Sequence, residues 1–414
     1  MKKIIKFFFN LTKKILFLFF LFPLLTPVII ILRVLKPLIH IRFRYISTDQ
    51  IGHFADDASI ILAQKILSDK KKYDLFWLEE KPSNKFFLRL FKRKFIGEWW
   101  VKYLFLINKI IPGGNKFTVL DPRTLQGSRD INLTLYNSTN DKNAFFSFTR
   151  EENIIAREFL YKKGLKESDK FVCLLVRDES YKKKIYPNHD WSYHDYRNSD
   201  INLYLKGINE LADMGYWIFR MGSISKKKIN SNHNKVIDYS FDKYRNDFLD
   251  IWLMANCTFC ITTGSGIDSV AVAFRRPMLF LNFAPIIDIV SYTNSLTYPK
   301  RLKYKNDENF LNLDQCLRYS FYNTSEYKNN NIDIIDMSED EIKNAIIEMY
   351  NRVSGKYKKI DNEDSLQKNF WDKILKSDEK HFIEKRYIRR RHNLIHPYSR
   401  ISTKFLIDNP KWLN

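Results

Sequence analysis

The sequence has few of the residues that break regular structure. Its 414 residues include 12 glycines and 12 prolines, while 45% are hydrophobic. This composition excludes a disordered or collagen-like chain. Cysteine is scarce as well: the four residues at positions 173, 257, 260 and 316 are too few and too scattered for a disulfide scaffold. The Cys257-x-x-Cys260 pair has no second pair to complete a zinc site, so we expect both to be structural.

Acidic residues are absent from the first 48 positions, which hold nine Lys and Arg and an uncharged run from Ile15 to Leu32. That end carries +9 and residues 380–414 carry +7, which leaves +6 of the net +22 for residues 49–379. Basic ends beside an apolar run favour an anionic membrane surface over nucleic acid. We therefore expect residues 1–44 to be a membrane anchor, either a bent spanning helix or a re-entrant segment, because Pro23 and Pro27 interrupt the run.

Strand-like and helix-like segments alternate along the rest of the chain. RFRYIST is followed by a turn at Gly52, a helical run and strand candidates at 73–79 and 117–121. A helix at 148–165, with Thr149 as its cap and Glu152 in the capping-box position, precedes a second alternation from 171 to 283. This order predicts parallel βαβ units in two Rossmann-like domains, 45–147 and 148–360, with a cleft between them and a basic helical tail at 361–414.

Ligands of open parallel sheets bind beyond the carboxyl ends of the strands, so residues that follow strands are the functional candidates. The turn from Gly264 to Gly266 joins an apolar strand to a helix, and backbone amides there can approach a phosphate closely. Neighbouring polar side chains support an anion site; they are Thr262, Thr263, Ser265 and Asp268. The alternative is a tight turn that needs glycine for steric reasons alone.

Arginines end two of the apolar strands. Arg177 and Arg220 could clamp a diphosphate bidentately, or each could form a salt bridge to a carboxylate such as Asp178. The segment HDWSYHDYRNSD at 189–200 is dense in polar and aromatic residues, and we expect it to contact substrate and not a metal. His53 follows the first strand, where an imidazole could act as a general base or cap the next helix. Asp56 and Asp57 are expected in the first turn of that helix.

Several of these motifs together resemble bacterial GT-B glycosyltransferases, in particular surface-polysaccharide glycosyltransferases distantly related to heptosyltransferases. The resemblance covers residues 45–300. Its motifs are Ile51-Gly52-His53, Arg177-Asp178, Tyr196 to Asp200 and Arg220 to Gly222. Heptosyltransferases carry an Asp-Ser/Thr-Gly-x-x-His turn followed by a small-residue helix and a proline-led strand. This pattern is matched here at Ser265, Gly266, Ala271, Ala273 and Pro277. The Asp and His of that turn are replaced by Gly264 and Ser269, and the Gly-Asp pair of the first strand, whose Asp is regarded as the base, is replaced by Gly52-His53.

The resemblance implies transfer of a sugar from a nucleotide-activated donor to a lipid-linked glycan, lipopolysaccharide or other surface-polysaccharide acceptor, without a cofactor or metal. It implies catalytic domains in the cytoplasm at the inner (cytoplasmic) membrane. The candidate catalytic residues are His53, Asp56 and Asp57. The candidate donor-binding residues are Arg177, Asp178, Arg197, Asn198, Arg220, Gly222, Thr263, Gly264, Ser265, Gly266, Asp268 and Ser269. A nucleotide-sugar epimerase of similar fold and a non-catalytic, membrane-tethered binding protein are the alternatives.

Overall fold

The computed structural model describes residues 17–67, 72–79, 81–119, 146–185, 187–383 and 395–413. The chain divides into two compact units, Met1–Leu125 and Gln126–Asn414. Each unit contains a parallel sheet with helices, so the predicted α/β class is confirmed. The division falls about 20 residues before the predicted boundary at 147/148, within the segment 120–145 that lies outside the described residues.

The first unit is built around a four-stranded sheet. A π-helical turn at Phe17–Leu21 continues into α1 (Phe22–Val34), which is followed by β1 (His40–Tyr45), α2 (Ile51–Leu67), β2 (Lys72–Trp77), α3 (Lys85–Lys92), β3 (Ile96–Glu98), α4 (Val101–Ile110) and β4 (Thr118–Val119). The strand order is β3-β2-β1-β4, and all pairs are parallel. Because β2 and β3 lie on one side of β1 and β4 on the other, the strand order reverses between β1 and β4.

The predicted anchor at residues 1–44 is corrected in part. His40–Tyr45 is a strand of the sheet, and Ile29 of α1 is fully buried in the core formed by Phe43, Leu104 and Ile107. Apolar side chains alternate with polar ones along β1, so one face of the strand contributes to the core. A search for long uncharged runs does not detect such an alternation. Within the described part of the chain, no helix combines the length and the apolarity needed to cross a membrane. Residues 1–16 lie outside the described residues.

The second unit contains a seven-stranded sheet and a separate antiparallel pair. Its elements are α5 (Arg150–Lys162), β5 (Phe171–Leu175), α6 (Ser180–Ile185), α7 (Leu205–Asp213), β6 (Trp217–Arg220), β7 (Val236–Ile237), α8 (Asp247–Asn256), β8 (Cys260–Thr262), α9 (Asp268–Ala273), β9 (Met278–Phe283), β10 (Ser295–Pro299), β11 (Arg301–Tyr304), α10 (Leu313–Arg318), α11 (Thr324–Asn329), β12 (Ile332–Ile335), α12 (Glu339–Val353), α13 (Glu363–Ile383), β13 (Ser399–Ile401), α14 (Thr403–Asp408) and α15 (Pro410–Leu413). The large sheet has the order β13-β10-β9-β8-β5-β6-β7, all parallel, and β11 pairs with β12.

The start of the second unit follows its local sequence signals. α5 begins after Thr149, whose hydroxyl accepts the Glu152 amide at 3.2 Å, and the Glu152 carboxylate accepts the Thr149 amide at 2.9 Å. The predicted capping box is therefore confirmed. β5 is buried along its whole length, as expected for a central strand covered on both faces.

The predicted helical tail at 361–414 is only partly helical. α13 is present, but Ser399–Ile401 forms β13, the edge strand that pairs in parallel with β10. Phe370, Ile374 and Trp412 are buried, so these residues belong to the core of the second unit. A three-residue strand is too short to show an alternation in the sequence. The basic residues around it indicated a charged tail and not a strand.

Candidate functional site

The seven-stranded sheet reverses its strand order between β5 and β8. From β5 the chain proceeds to β6 and β7 on one side, and β8 leads to β9, β10 and β13 on the other. Such a switch point is where doubly wound sheets bind ligands. Arg177 follows β5 and Thr263 follows β8, and the two are joined because the Arg177 amide donates to Thr263 Oγ1 at 3.0 Å. Two of the predicted site residues therefore meet at the switch point.

Arg177 places an unpartnered guanidinium at this position. Within the described residues, its side chain makes no hydrogen bond or ion pair, and its Nε atom is buried. Burial, followed by the positive charge of nearby Arg197, lowers the pKa of Arg177 to about 10. The guanidinium is still protonated at neutral pH, and a bound anion would offset both unfavourable effects. The site is therefore electrostatically prepared for a negative ligand.

Arg197 is held against the glycine turn. It ends a 3-10 turn at Ser192–Arg197, and its Nη2 donates to the Gly264 carbonyl at 2.6 Å. Asn198 follows, with its side-chain amide donating to Asp195 at 3.0 Å. Two arginines from the predicted set thus lie beside the turn that follows β8.

The glycine turn uses some of its amides internally, which corrects part of the prediction. The Gly264 amide donates to Thr262 Oγ1 at 3.0 Å, and the Ser265 amide donates to Asp268 at 2.7 Å. Asp268 also accepts from Thr262 Oγ1 at 2.9 Å, so the carboxylate ties the turn together and occupies positions expected for phosphate. Polar side chains near free amides compete for them, which spacing alone could not show.

The remaining residues of this turn stand nearer to solvent. Gly264 has φ +79°, a left-handed conformation that only glycine adopts without strain. Gly266 is exposed, and Ser269 lies partly buried on α9. The amides of Gly266 and Ile267 make no hydrogen bond with other described residues. Any anion at the turn would therefore be bound by these two amides together with the arginines.

Arg220 and Gly222 lie at the end of β6, one strand further from the switch point. The Arg220 side chain is 2% exposed, and its Nη1 donates to Asp238 at 3.1 Å. This ion pair is the alternative that the sequence left open for Arg220. At Gly222, with φ +151°, a Cβ would come within 2.7 Å of the Ser225 hydroxyl. The contacts of these two residues are structural, and a donor-binding role for them stays a prediction.

Asp178 binds backbone and not Arg177. One of its oxygens accepts the Ser180 amide at 2.8 Å, and the other accepts the Lys226 amide at 2.9 Å. The carboxylate therefore connects the loop after β5 to the loop after β6. Because Asp178 is committed to these amides, it does not neutralise the guanidinium next to it in sequence.

The candidate catalytic residues lie on α2 of the first unit. The predicted turn at Gly52 is wrong, because α2 already begins at Ile51 and places His53 in its first helical turn. Asp56 and Asp57 therefore lie in the second turn and not the first, and they are 8% and 1% exposed. His53 is partly exposed, so it is the best placed of the three to reach a substrate hydroxyl.

Glu79 orders the loop between β1 and α2, and the sequence pattern did not single it out. Its Oε2 accepts the amides of Thr48 and Asp49 at 3.2 and 3.1 Å, and its Oε1 accepts the Tyr45 hydroxyl at 2.7 Å. Burial and then the Glu79 carboxylate raise the pKa of Tyr45 to about 12. The available signal was an acidic residue two positions after the end of β2.

A second group that sequence reasoning missed supports the Arg197 segment. Lys300, directly after β10, donates to the Asn198 carbonyl at 2.7 Å and pairs with Asp336 at 2.7 Å. Burial lowers the pKa of Lys300. Asn282 of β9 donates to the Ser199 hydroxyl at 3.1 Å. Asn282 and Lys300 are 83 and 102 positions from the residues they contact, so only the fold brings them to the 196–200 segment.

The described residues contain no group of three or more His, Cys, Asp or Glu side chains arranged to hold a metal ion. Cys257 and Cys260 are fully buried, and burial raises the pKa of the Cys260 thiol well above its ordinary value. A buried neutral thiol is unreactive. Independence from metal stays a prediction.

No protein-family model matches the chain, and no curated protein sequence does. Among solved structures, heptosyltransferase II of Escherichia coli is 13% identical, covering 59% of this chain and 85% of its own, with a TM-score of 0.34. A family 9 glycosyltransferase of Veillonella parvula is 10% identical, with coverages of 63% and 86% and a TM-score of 0.39. An iron-containing dodecameric glycosyltransferase of enterotoxigenic E. coli is 12% identical, with coverages of 77% and 77% and a TM-score of 0.37. The structural neighbours of this chain thus include heptosyltransferases and family 9 glycosyltransferases, while overlays of this quality assign it no function.

Proposed function

We propose that the protein is a GT-B glycosyltransferase that transfers a sugar from a nucleotide-activated donor. The observation that carries this proposal is the Arg177 guanidinium, which has no partner among the described residues and lies near Arg197 at the switch point of the large sheet. A nucleotide sugar has a diphosphate that matches two guanidinium groups in charge and geometry. The second unit is accordingly the donor-binding unit in this proposal.

The chemistry that these residues would supply is stabilisation of the leaving nucleoside diphosphate. Negative charge grows on the diphosphate as the bond to the sugar breaks, and fixed positive groups lower the energy of that transition state. Arg177 and Arg197 are both anchored by backbone contacts, Arg177 through its amide and Arg197 through the Gly264 carbonyl. The Arg197 guanidinium is therefore already held beside the turn, which favours binding because less order has to be imposed by the ligand.

The acceptor side of the reaction is assigned to the first unit. His53, in the first turn of α2, would take the proton from the acceptor hydroxyl as it attacks the anomeric carbon. The acceptor that we propose is a lipid-linked glycan, a lipopolysaccharide or another surface polysaccharide, and the place is the cytoplasmic face of the inner membrane. The supporting feature is the basic, apolar N-terminal end of the chain.

A thermal-shift panel tests the donor assignment. We expect nucleoside diphosphates and one or more nucleotide sugars to raise the melting temperature, since ligands that bind the native state stabilise it by mass action. The free nucleosides should give a smaller shift, and Arg177→Ala should abolish the difference. No stabilisation by any member of the panel would instead support the non-catalytic binding protein.

Turnover measurements separate the two enzymatic readings. A transferase should release nucleoside diphosphate only slowly until an acceptor is added. Conversion of the nucleotide sugar to its epimer without an acceptor would replace the transferase assignment by the epimerase.

A further inference from the structure

The helix α1 has apolar side chains on two opposite faces. Its inward face packs on the first unit through Ile29, fully buried, with Phe22, Leu25 and Leu32 partly buried against the core. The opposite face is apolar and exposed to solvent. We call this face, together with two leucines just beyond the helix, the outward stripe; its members are Leu24, Val28, Ile31 and Val34 on α1, and Leu35 and Leu38 after it, all 38–72% exposed. A surface helix of a soluble domain would normally carry polar residues there.

Arg33 fixes α1 to the first unit. Its guanidinium donates to the carbonyls of Asn108, Ile111 and Pro112 at 2.8, 3.1 and 2.7 Å, and it also binds the Asn108 side chain at 2.8 Å. These carbonyls belong to the C-terminal end of α4, where a cation is favourable. The helix is therefore a docked part of the domain, and the outward stripe is held in a defined position.

Charge favours one occupant for the outward stripe. Residues 1–119 hold 22 Lys and Arg against 8 Asp and Glu, a net charge of +14, and five of the lysines precede residue 15. A second copy of the chain would bring the same positive charge to the interface and be repelled. An anionic bilayer surface, by contrast, attracts the positively charged first unit. Exposed aromatic residues suited to a membrane interface precede both helices of this contact: Phe19 and Phe20 precede α1, and Trp99 and Trp100 precede α4, which Arg33 binds.

We propose that α1 lies in the plane of an anionic bilayer, with the outward stripe in the headgroup boundary and Ile29 and Arg33 holding the first unit against the lipid. The helix has 13 residues and is about 20 Å long, a length that suits an interfacial helix. The inference rests on the membrane location in the proposed function. Its test does not use transferase activity, so the two can fail separately.

Vesicle flotation of the full chain measures the contribution of the outward stripe. Phosphatidylcholine vesicles with phosphatidylglycerol should bind the protein, and vesicles without it or added salt should weaken binding. Ile31→Ser/Val34→Ser should lower the partition coefficient by at least about 10-fold. The matched control is Ile154→Ser/Ile155→Ser on α5 of the second unit, whose side chains are similarly exposed and should not matter. Equal binding by both variants would overturn the proposal.

A site-specific probe shows whether the stripe itself enters the lipid. The four native cysteines are buried, so Val34→Cys and Ile155→Cys can each be labelled with a polarity-sensitive fluorophore. The emission at position 34 should shift to the blue on anionic vesicles, and the emission at position 155 should not change. Co-flotation without a shift at position 34 would assign attachment to another segment. A shift that depends on protein concentration without vesicles would assign the stripe to a second copy, and either result overturns the proposal.

Discussion

The two units place opposite kinds of side chain at their switch points. The first sheet has Glu79 and Asp49 around the loop after β1, while the second has Arg177 and Arg197 beside the turn after β8. Yet the first unit is the more basic of the two overall, since residues 1–119 carry +14 and the other 295 residues carry +8. The net charge of a unit therefore indicates what its outer surface attracts, while the charge at a strand end indicates which ligand fits there.

The two units therefore suit different ligands. An anionic ligand fits the arginines of the second sheet, and a hydroxyl that must lose a proton fits the histidine and carboxylates near the first. The first unit also has the larger excess of positive charge and the exposed apolar residues of α1. The predictions below separate these roles by changing one unit and measuring the function assigned to the other.

The largest effect is expected at His53. If His53 is the general base, His53→Ala should lower the transfer rate by about 10²–10⁴-fold and leave donor affinity unchanged, because the donor binds to the other unit. His40→Ala, on β1 of the same unit, is the control and should retain most of the rate. A parallel loss of donor affinity in His53→Ala would contradict the division of roles.

Arg220→Ala should act mainly on stability. The substitution leaves the Asp238 carboxylate without its buried partner, and breaking a buried pair costs about 3–5 kcal/mol. Chemical denaturation of Arg220→Ala and Arg177→Ala compares the two strand-end arginines directly. Arg177→Ala should unfold at nearly the wild-type denaturant concentration, because its side chain has no partner among the described residues. A reversed order would exchange the roles of the two arginines.

Gly264→Ala should cost about 1–2 kcal/mol of folding free energy, since alanine is strained in the left-handed region. It should also weaken nucleoside diphosphate binding, because relief of the backbone strain would shift the Gly264 carbonyl that holds Arg197. Gly215→Ala is a matched control: φ is +100° there, and a Cβ would have no neighbour within 4 Å. Calorimetry should find a similar stability loss in both variants and a change of affinity in Gly264→Ala alone.

A pH dependence of stability is expected in the second unit. Burial raises the pKa of Asp250 to about 6, above its ordinary value of 3.8. The native state therefore binds this proton more tightly than the unfolded state, and stability falls as pH rises from about 4 through 6. The contribution is at most about 3 kcal/mol. Asp250→Asn should flatten the pH profile of the unfolding free energy, and an unchanged profile would assign the slope to other groups.

Sequence patterns predicted the buried strands and the capped helix well. β5, β6, β8 and β9 are continuous apolar runs, and α5 begins at its capping box. The three-residue strands β3 (Ile-Gly-Glu) and β13 (Ser-Arg-Ile) were missed because each has one apolar side chain, whereas the equally short β8 lies in an apolar run. Local signals are thus reliable where one segment contains enough residues to bury a face by itself.

The sequence predicted where the site residues lie along the strands, but it did not predict which groups they form hydrogen bonds or ion pairs with. Strand ends located Arg177 and Arg220 equally well, but only the fold shows that Asp238 takes Arg220 while Arg177 is left without a partner among the described residues. In the same way, Asp268 takes an amide of the glycine turn, and Lys300 supports the segment after Arg197 from a distant strand. Which group accepts a given hydrogen bond depends on the three-dimensional arrangement of the side chains, and the spacing of residues along the sequence does not give that arrangement.

The most direct test of the donor site is calorimetric binding of a nucleoside diphosphate and of its nucleoside to the full chain and to Arg177→Ala. Loss of a charged hydrogen bond is worth about 1.5–3 kcal/mol, so the variant should bind the diphosphate about 10- to 150-fold more weakly and the nucleoside equally well. Arg157→Ala, an exposed arginine on α5, should match the wild type for both ligands. Equal losses for the two ligands, or undiminished diphosphate binding by a folded Arg177→Ala protein, would contradict the assignment of the switch-point arginine to the donor.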